Sequence, residues 1–165
     1  LYSRKVASPA ELQDGDTVAI PNDVTNGGRA LKVLEAAGLI TLRTDAGFNP
    51  TVGDIAIYNT KITITELAAN TIPSALADVS AGVVNGNYAL DFGLKTEENI
   101  FADTSLGEER YWNLIASRSA DFDDSEKPAV YRKVVAAFQS PETETVFDTV
   151  FVAYFVTAGW DTYLL

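Results

Sequence analysis

Thr17-Val18-Ala19-Ile20-Pro21-Asn22-Asp23-Val24-Thr25-Asn26-Gly27-Gly28-Arg29-Ala30-Leu31 is the stretch that decides how this chain is read. Residues 17–20 are small, apolar or β-branched and predict a short buried strand, ended by Pro21. Residues 22–28 are polar and glycine-containing and predict a loop. A helix is expected over residues 29–37, with Ala30, Leu31, Leu34 and Ala37 on one face and Gly38 as its C-terminal stop.

The same alternation extends in both directions. Upstream, Ser8-Pro9-Ala10-Glu11 reads as a helix start, with Glu11 placed to close a capping box, and Asp14-Gly15-Asp16 as a turn. Downstream, Asn49-Pro50 marks a turn, residues 61–67 a strand, residues 71–78 a short helix, residues 81–84 a third strand and residues 88–92 a helix. Residues 111–117 predict a fourth strand, and residues 120–126 an acidic, polar loop. Two helices close the chain. The first carries Val130, Val134, Val135 and Phe138 on one face. The second is opened by Ser140-Pro141 and carries Val146, Phe147, Val150 and Phe151. The tail holds Val152, Ala153, Tyr154, Phe155, Val156, Trp160, Tyr163, Leu164 and Leu165, apolar enough to pack on something outside this chain. Strands alternating with helices imply an α/β lobe with a mainly parallel sheet.

Composition limits the function classes. Twelve basic residues against 23 acidic ones give a net charge of −11, the wrong sign for neutralising nucleic-acid phosphates or docking on an anionic membrane. The absence of Cys and His removes thiol nucleophiles, the Ser-His-Asp triad and the common zinc ligand sets. No cofactor motif is present, and no apolar run approaches the ~18 residues of a membrane span.

Three features carry candidate chemistry. Gly27 and Gly28 would let a ligand approach the backbone at a helix start, and the Arg29 guanidinium matches a carboxylate as a planar fork. The glycine spacing fits neither a phosphate loop nor a dinucleotide fingerprint. From local chemistry, the segment reads equally well as a loop turning into a helix with a solvated arginine. Asn85, in Val84-Asn85-Gly86-Asn87-Tyr88, sits where a strand ends, and its amide offers a donor and an acceptor to a zwitterion. By itself it reads more simply as an Asn-Gly turn and helix cap. Asn113, in Tyr111-Trp112-Asn113-Leu114-Ile115, is an amide in an apolar strand that either satisfies backbone or faces a cleft. The acid pairs Glu97-Glu98, Glu108-Glu109 and Asp123-Asp124 read as solvated surface rather than a catalytic dyad or metal site.

Taken together, the run Pro21-Asn22-Asp23, Thr25-Asn26, Gly28-Arg29-Ala30-Leu31 resembles the NlpA-type lipoproteins, the methionine-binding proteins of ABC importers. The resemblance continues through Ala36, Gly38-Leu39-Ile40 and Leu42, then Pro50-Thr51-Val52 and Asp54-Ile55, then Glu66-Leu67 and Ala69. It resumes at Ala75-Leu76, Asp78-Val79, Val84-Asn85, Asn87-Tyr88-Ala89, Asn113-Leu114-Ile115 and Phe138-Gln139-Ser140. Val24 stands where proline is common.

The resemblance implies a periplasmic-binding-protein-like fold of two α/β lobes. Residues 5–116 would form the second lobe, and residues 117–165 a helical return segment belonging to the first. Arg29 would hold an amino-acid carboxylate, Asn85 and Asn113 its polar end, and Asn26 would assist. Expected partners are L-methionine or a related amino acid and an ABC transporter permease, with no nucleic acid and no cofactor. The expected place is extracytoplasmic, held to the membrane by a lipid on an N-terminal cysteine ahead of these residues. The rest of the first lobe, with an aromatic box and a histidine for the ligand side chain, would also precede them. The implied mechanism is capture without chemistry. Rival readings are another amino acid or a short peptide on this scaffold, a hydrolase with a Ser or Asp nucleophile, and a surface module that binds nothing.

Overall fold

The computed structural model describes residues 1–103, 105, 108–151 and 154–160. The chain divides into two compact units, Leu1–Thr104 and Ser105–Leu165.

The first unit is built on β1 (Thr17–Pro21), which lies between two parallel neighbours, β4 (Thr63–Leu67) and β5 (Ala81–Gly82). The central position explains the composition of β1: Val18, Ala19 and Ile20 are covered on both sides. Pro21 is tolerated because it lies past Val18 and Ala19, the two residues of β1 that pair with β5. β5 is shorter than its apolar run predicts. Val83 N–H still donates to the Ala19 carbonyl, after which the chain leaves the sheet. A separate antiparallel pair, β2 (Ile40–Leu42) with β3 (Ile55–Tyr58), was not anticipated.

Between β1 and β2 runs α1 (Val24–Ala36). It begins five residues before the expected start, so Gly27, Gly28 and Arg29 are helical and the predicted loop over residues 22–28 shrinks to Asn22 and Asp23. Two helical glycines cost roughly 1 kcal/mol each against alanine, which is why local propensity misplaces this end. Packing reverses the preference. A Cβ on Gly27 would lie 2.7 Å from the Pro21 carbonyl oxygen, and one on Gly28 would lie 2.9 Å from the Asn49 Cα. The glycines are therefore where α1 touches the end of β1 and the Asn49-Pro50 turn. At the other end, Gly38 takes φ +79° and Leu39 N–H donates to the Leu34 carbonyl, the stop that the sequence anticipates. Ala30, Leu31, Val33 and Leu34 of α1 join Val18, Ile20, Leu39, Ile40 and Ile62 in the core.

Two short helices complete this unit, α2 (Ile72–Ala75) and α3 (Gly86–Phe92). Ser8 and Glu11 do pair, Oγ to Oε1 at 3.1 Å, but they start only a 3₁₀ turn, Pro9–Glu11.

In the second unit, residues 112–118 form no strand. Their apolar pattern suits a strand, but a strand needs a hydrogen-bonded neighbour, and none is present among the described residues. Leu114 is 81% exposed. Helices α4 (Lys127–Phe138) and α5 (Pro141–Thr149) form as expected, with the Ser140 hydroxyl capping the second by accepting from Thr143 N–H. Val130, Val134, Val146 and Val150 stay exposed, while Phe138, Phe147 and Trp160 group with ring centroids 6.1–6.4 Å apart. Val152, Ala153, Tyr163, Leu164 and Leu165 of the aromatic tail lie outside the described residues.

The acidic loop departs from expectation in one residue. Asp121 is buried, accepting from Tyr131 Oη–H at 2.6 Å and Lys127 Nζ at 2.9 Å, with Arg118 Nε at 3.6 Å. Among the described residues, no helix is long and apolar enough to cross a membrane.

Candidate functional site

Gly27 and Gly28 do not open the helix start to a ligand as the sequence suggests. The first turn of α1, where free N–H groups would attract an anion, already holds one. Asp23 is the N-cap, and its carboxylate accepts from Asn26 N–H at 2.9 Å. That bond is the main cause holding the Asp23 carboxyl below the usual carboxylate range. Partial burial opposes it, and the Asn26 side chain adds to it. Gly27 and Gly28 face protein backbone rather than a ligand.

Arg29 lies one turn beyond Asn26 and is about three-quarters buried. Its Nε donates to Asp103 Oδ2 at 2.7 Å, a contact made from 74 residues away along the chain. A guanidinium carries five N–H donors, and this contact engages the Nε edge. Asp103 gave no signal in the sequence, because nothing local marks a carboxylate that pairs across such a separation.

Asn26 and Asn85 are brought together. Asn26 donates from Nδ2 to both Asp23 carboxylate oxygens, at 3.1 and 3.0 Å, and its Oδ1 accepts from Asn85 Nδ2 at 2.8 Å. Asn85 is the N-cap residue of α3, as its Asn-Gly setting predicts, yet its side chain makes no cap hydrogen bond. Its Oδ1 is shielded from solvent and has no hydrogen-bond partner among the described residues. Asn113 lies in the second unit, exposed, in a segment without regular structure.

The arrangement can present one acceptor, Asn85 Oδ1, and one cation, Arg29, on elements that follow the carboxyl ends of β1 and β5. Those are the ends at which parallel sheets collect ligands. A depression of about 410 Å³ in the same unit is lined by Tyr2, Ser3, Arg4, Leu76, Leu94 and Glu98, and none of the four sequence-derived candidates borders it. Among the described residues, no group of three or more acidic residues could hold a metal ion.

The sequence model of the NlpA lipoprotein family matches residues 1–159. The chain belongs to the NlpA lipoprotein family. It is 39% identical over 153 residues to the D-methionine-binding lipoprotein MetQ of Escherichia coli K12, an alignment covering 91% of this chain and 54% of that protein. The chain thus spans about half the length of the curated relatives it matches. Among solved structures, a nutrient binding protein from Burkholderia cenocepacia bound to methionine superposes with a TM-score of 0.83 at 39% identity, covering 94% of this chain and 64% of that one. A periplasmic substrate-binding protein of an ABC transporter from Coxiella burnetii gives 0.81 at 32% identity, covering 95% and 64%. The α/β fold is that of periplasmic substrate-binding proteins, and each of these relatives is named for binding rather than for catalysis.

Proposed function

We propose that this chain is the second lobe and return segment of an extracytoplasmic binding protein that captures methionine, or a closely related amino acid, for an ABC importer. The proposal includes a lipid anchor ahead of these residues and delivery to a membrane permease. Asn85 Oδ1 carries the reading. A buried oxygen without a donor costs about 1–3 kcal/mol, and a ligand ammonium is the donor that removes that cost. Because the atom is covered, a donor reaches it only after a neighbouring group gives way, so occupancy and a local rearrangement go together.

Arg29 supplies the charge for the ligand carboxylate, with Asp103 holding one edge of the fork. Asn26 acts by supporting Asn85. Asn113 of the second unit is assigned to the ligand's polar end on the family resemblance. The glycine pair lends no support, since packing accounts for it. Family membership and the methionine-bound relative supply the ligand class.

The test is calorimetric titration of both methionine enantiomers, other amino acids and short peptides into the intact two-lobed protein. Saturable one-to-one binding of methionine in preference to the rest is expected. Tight binding of a different amino acid or a peptide would replace the ligand, and no binding of any amino acid would end the transport reading.

A further inference from the structure

We infer that Asp23 is a positioning residue that fixes the polarity of the Asn85 amide, so that the binding site presents an acceptor and selects ligands bearing an amino group. The inference rests on the proposed function and adds a residue that carries no ligand-related role in the reading of the sequence.

The argument uses only what each group can donate or accept. A carboxylate accepts and cannot donate. Asn26 must therefore turn Nδ2 toward Asp23, and it does so against both oxygens. That choice leaves Asn26 Oδ1 facing Asn85, so Asn85 must offer its own Nδ2, which lies 2.8 Å away. The one end left over is Asn85 Oδ1, the atom with no partner. Two amides that could each point either way are thereby locked in one sense by a charge two residues along the relay. An ordinary aspartate is already ionised, and so unable to donate, at neutral pH, and the Asn26 backbone N–H lowers the Asp23 carboxyl further.

Asp23→Asn tests this without removing the helix cap, since asparagine caps as well as aspartate. The introduced amide can donate to Asn26, which lets Asn26 and then Asn85 reverse and present N–H to the ligand. In the intact protein, D23N should lower affinity for methionine on the order of ten-fold, while affinity for the analogue lacking the amino group changes by less than about two-fold. Asp23→Ser, a second capping variant without a carboxylate, should show the same split. Equal losses for both ligands, or no loss, would overturn the inference.

A ligand-free arm separates this idea from the function itself. Trans-hydrogen-bond NMR coupling should run from Asn85 Nδ2 to Asn26 Cγ in the wild type and from Asn26 Nδ2 to Asn85 Cγ in D23N. An unchanged direction in D23N would overturn the relay even if methionine binds. A reversed direction would support it even if methionine does not.

Discussion

The Nε of Arg29 donates to Asp103 Oδ2 at 2.7 Å, and the two side chains are 28% and 25% exposed. An ion pair this far from water costs desolvation, and removing one partner strands the other. If the pair exists to present the guanidinium to a ligand carboxylate, the two substitutions should differ. Arg29→Ala should weaken methionine binding by the intact protein roughly a hundred-fold or more, corresponding to about 3–5 kcal/mol. Asp103→Ala removes the brace and leaves the charge, so a loss of about ten-fold or less is expected. Calorimetry on both variants decides the order. Near-normal binding by R29A would make the pair purely structural and remove Arg29 from the site.

Gly27 and Gly28 give a prediction whose sign is set by packing. On helix propensity alone, glycine to alanine inside α1 gains roughly 1 kcal/mol. Here the added methyl meets backbone at 2.7 and 2.9 Å, atoms that cannot swing aside. Overpacking of this kind costs about 1–3 kcal/mol or more. Both Gly27→Ala and Gly28→Ala should therefore unfold at lower urea than the wild type. Gly53→Ala is the control, because its nearest neighbour would be the Thr51 hydroxyl at 3.6 Å. A rise in midpoint for either helical variant would mean that α1 can shift away from Pro21 and Asn49.

Asn85 predicts a trade between stability and binding. Asn85→Leu deletes a shielded oxygen that has no partner, and it also removes the donor to Asn26 Oδ1, which is only half-buried and can turn to water. The two effects oppose, so stability should change by less than about 1 kcal/mol. Methionine binding should fall below detection. Chemical denaturation and calorimetry on one preparation check both halves. A large loss of stability with binding retained would mark Asn85 as a structural cap.

The architecture was readable where periodicity and punctuation agree. Thr17 to Ile20 read as a buried strand, Gly38 as a helix stop and Ser140-Pro141 as a helix start, and each forms as the residues dictate. It was unreadable where tertiary contact overrides local preference. Gly27 and Gly28 pulled the expected start of α1 to Arg29, because glycine's cost is local and its compensation lies in Pro21 and Asn49. Residues 111–117 read as a strand from their side chains, but pairing is not a property of one segment. The candidate amides were legible one at a time. Their connection was not, since Asn26 and Asn85 meet across 59 residues and Asp23 reads only as part of a loop.

Asp121 predicts how the second unit responds to acid. Its carboxyl is held below the ordinary range chiefly by the Tyr131 hydroxyl, then by Lys127. A carboxyl depressed on folding contributes stability that is complete above its unfolded pKa, near 3.9, and disappears as pH falls through the lower folded value. At neutral pH, Asp121→Asn should therefore lower the melting temperature of α4 and its surroundings, because Lys127 and Arg118 lose the charge they share. The deficit should shrink as pH drops below about 4, where the wild-type carboxylate is itself being protonated. Circular dichroism melts of both proteins from neutral pH to acid read the difference directly. A gap that stays constant with pH would show that Asp121 acts by shape and neutral hydrogen bonding, with its charge contributing nothing.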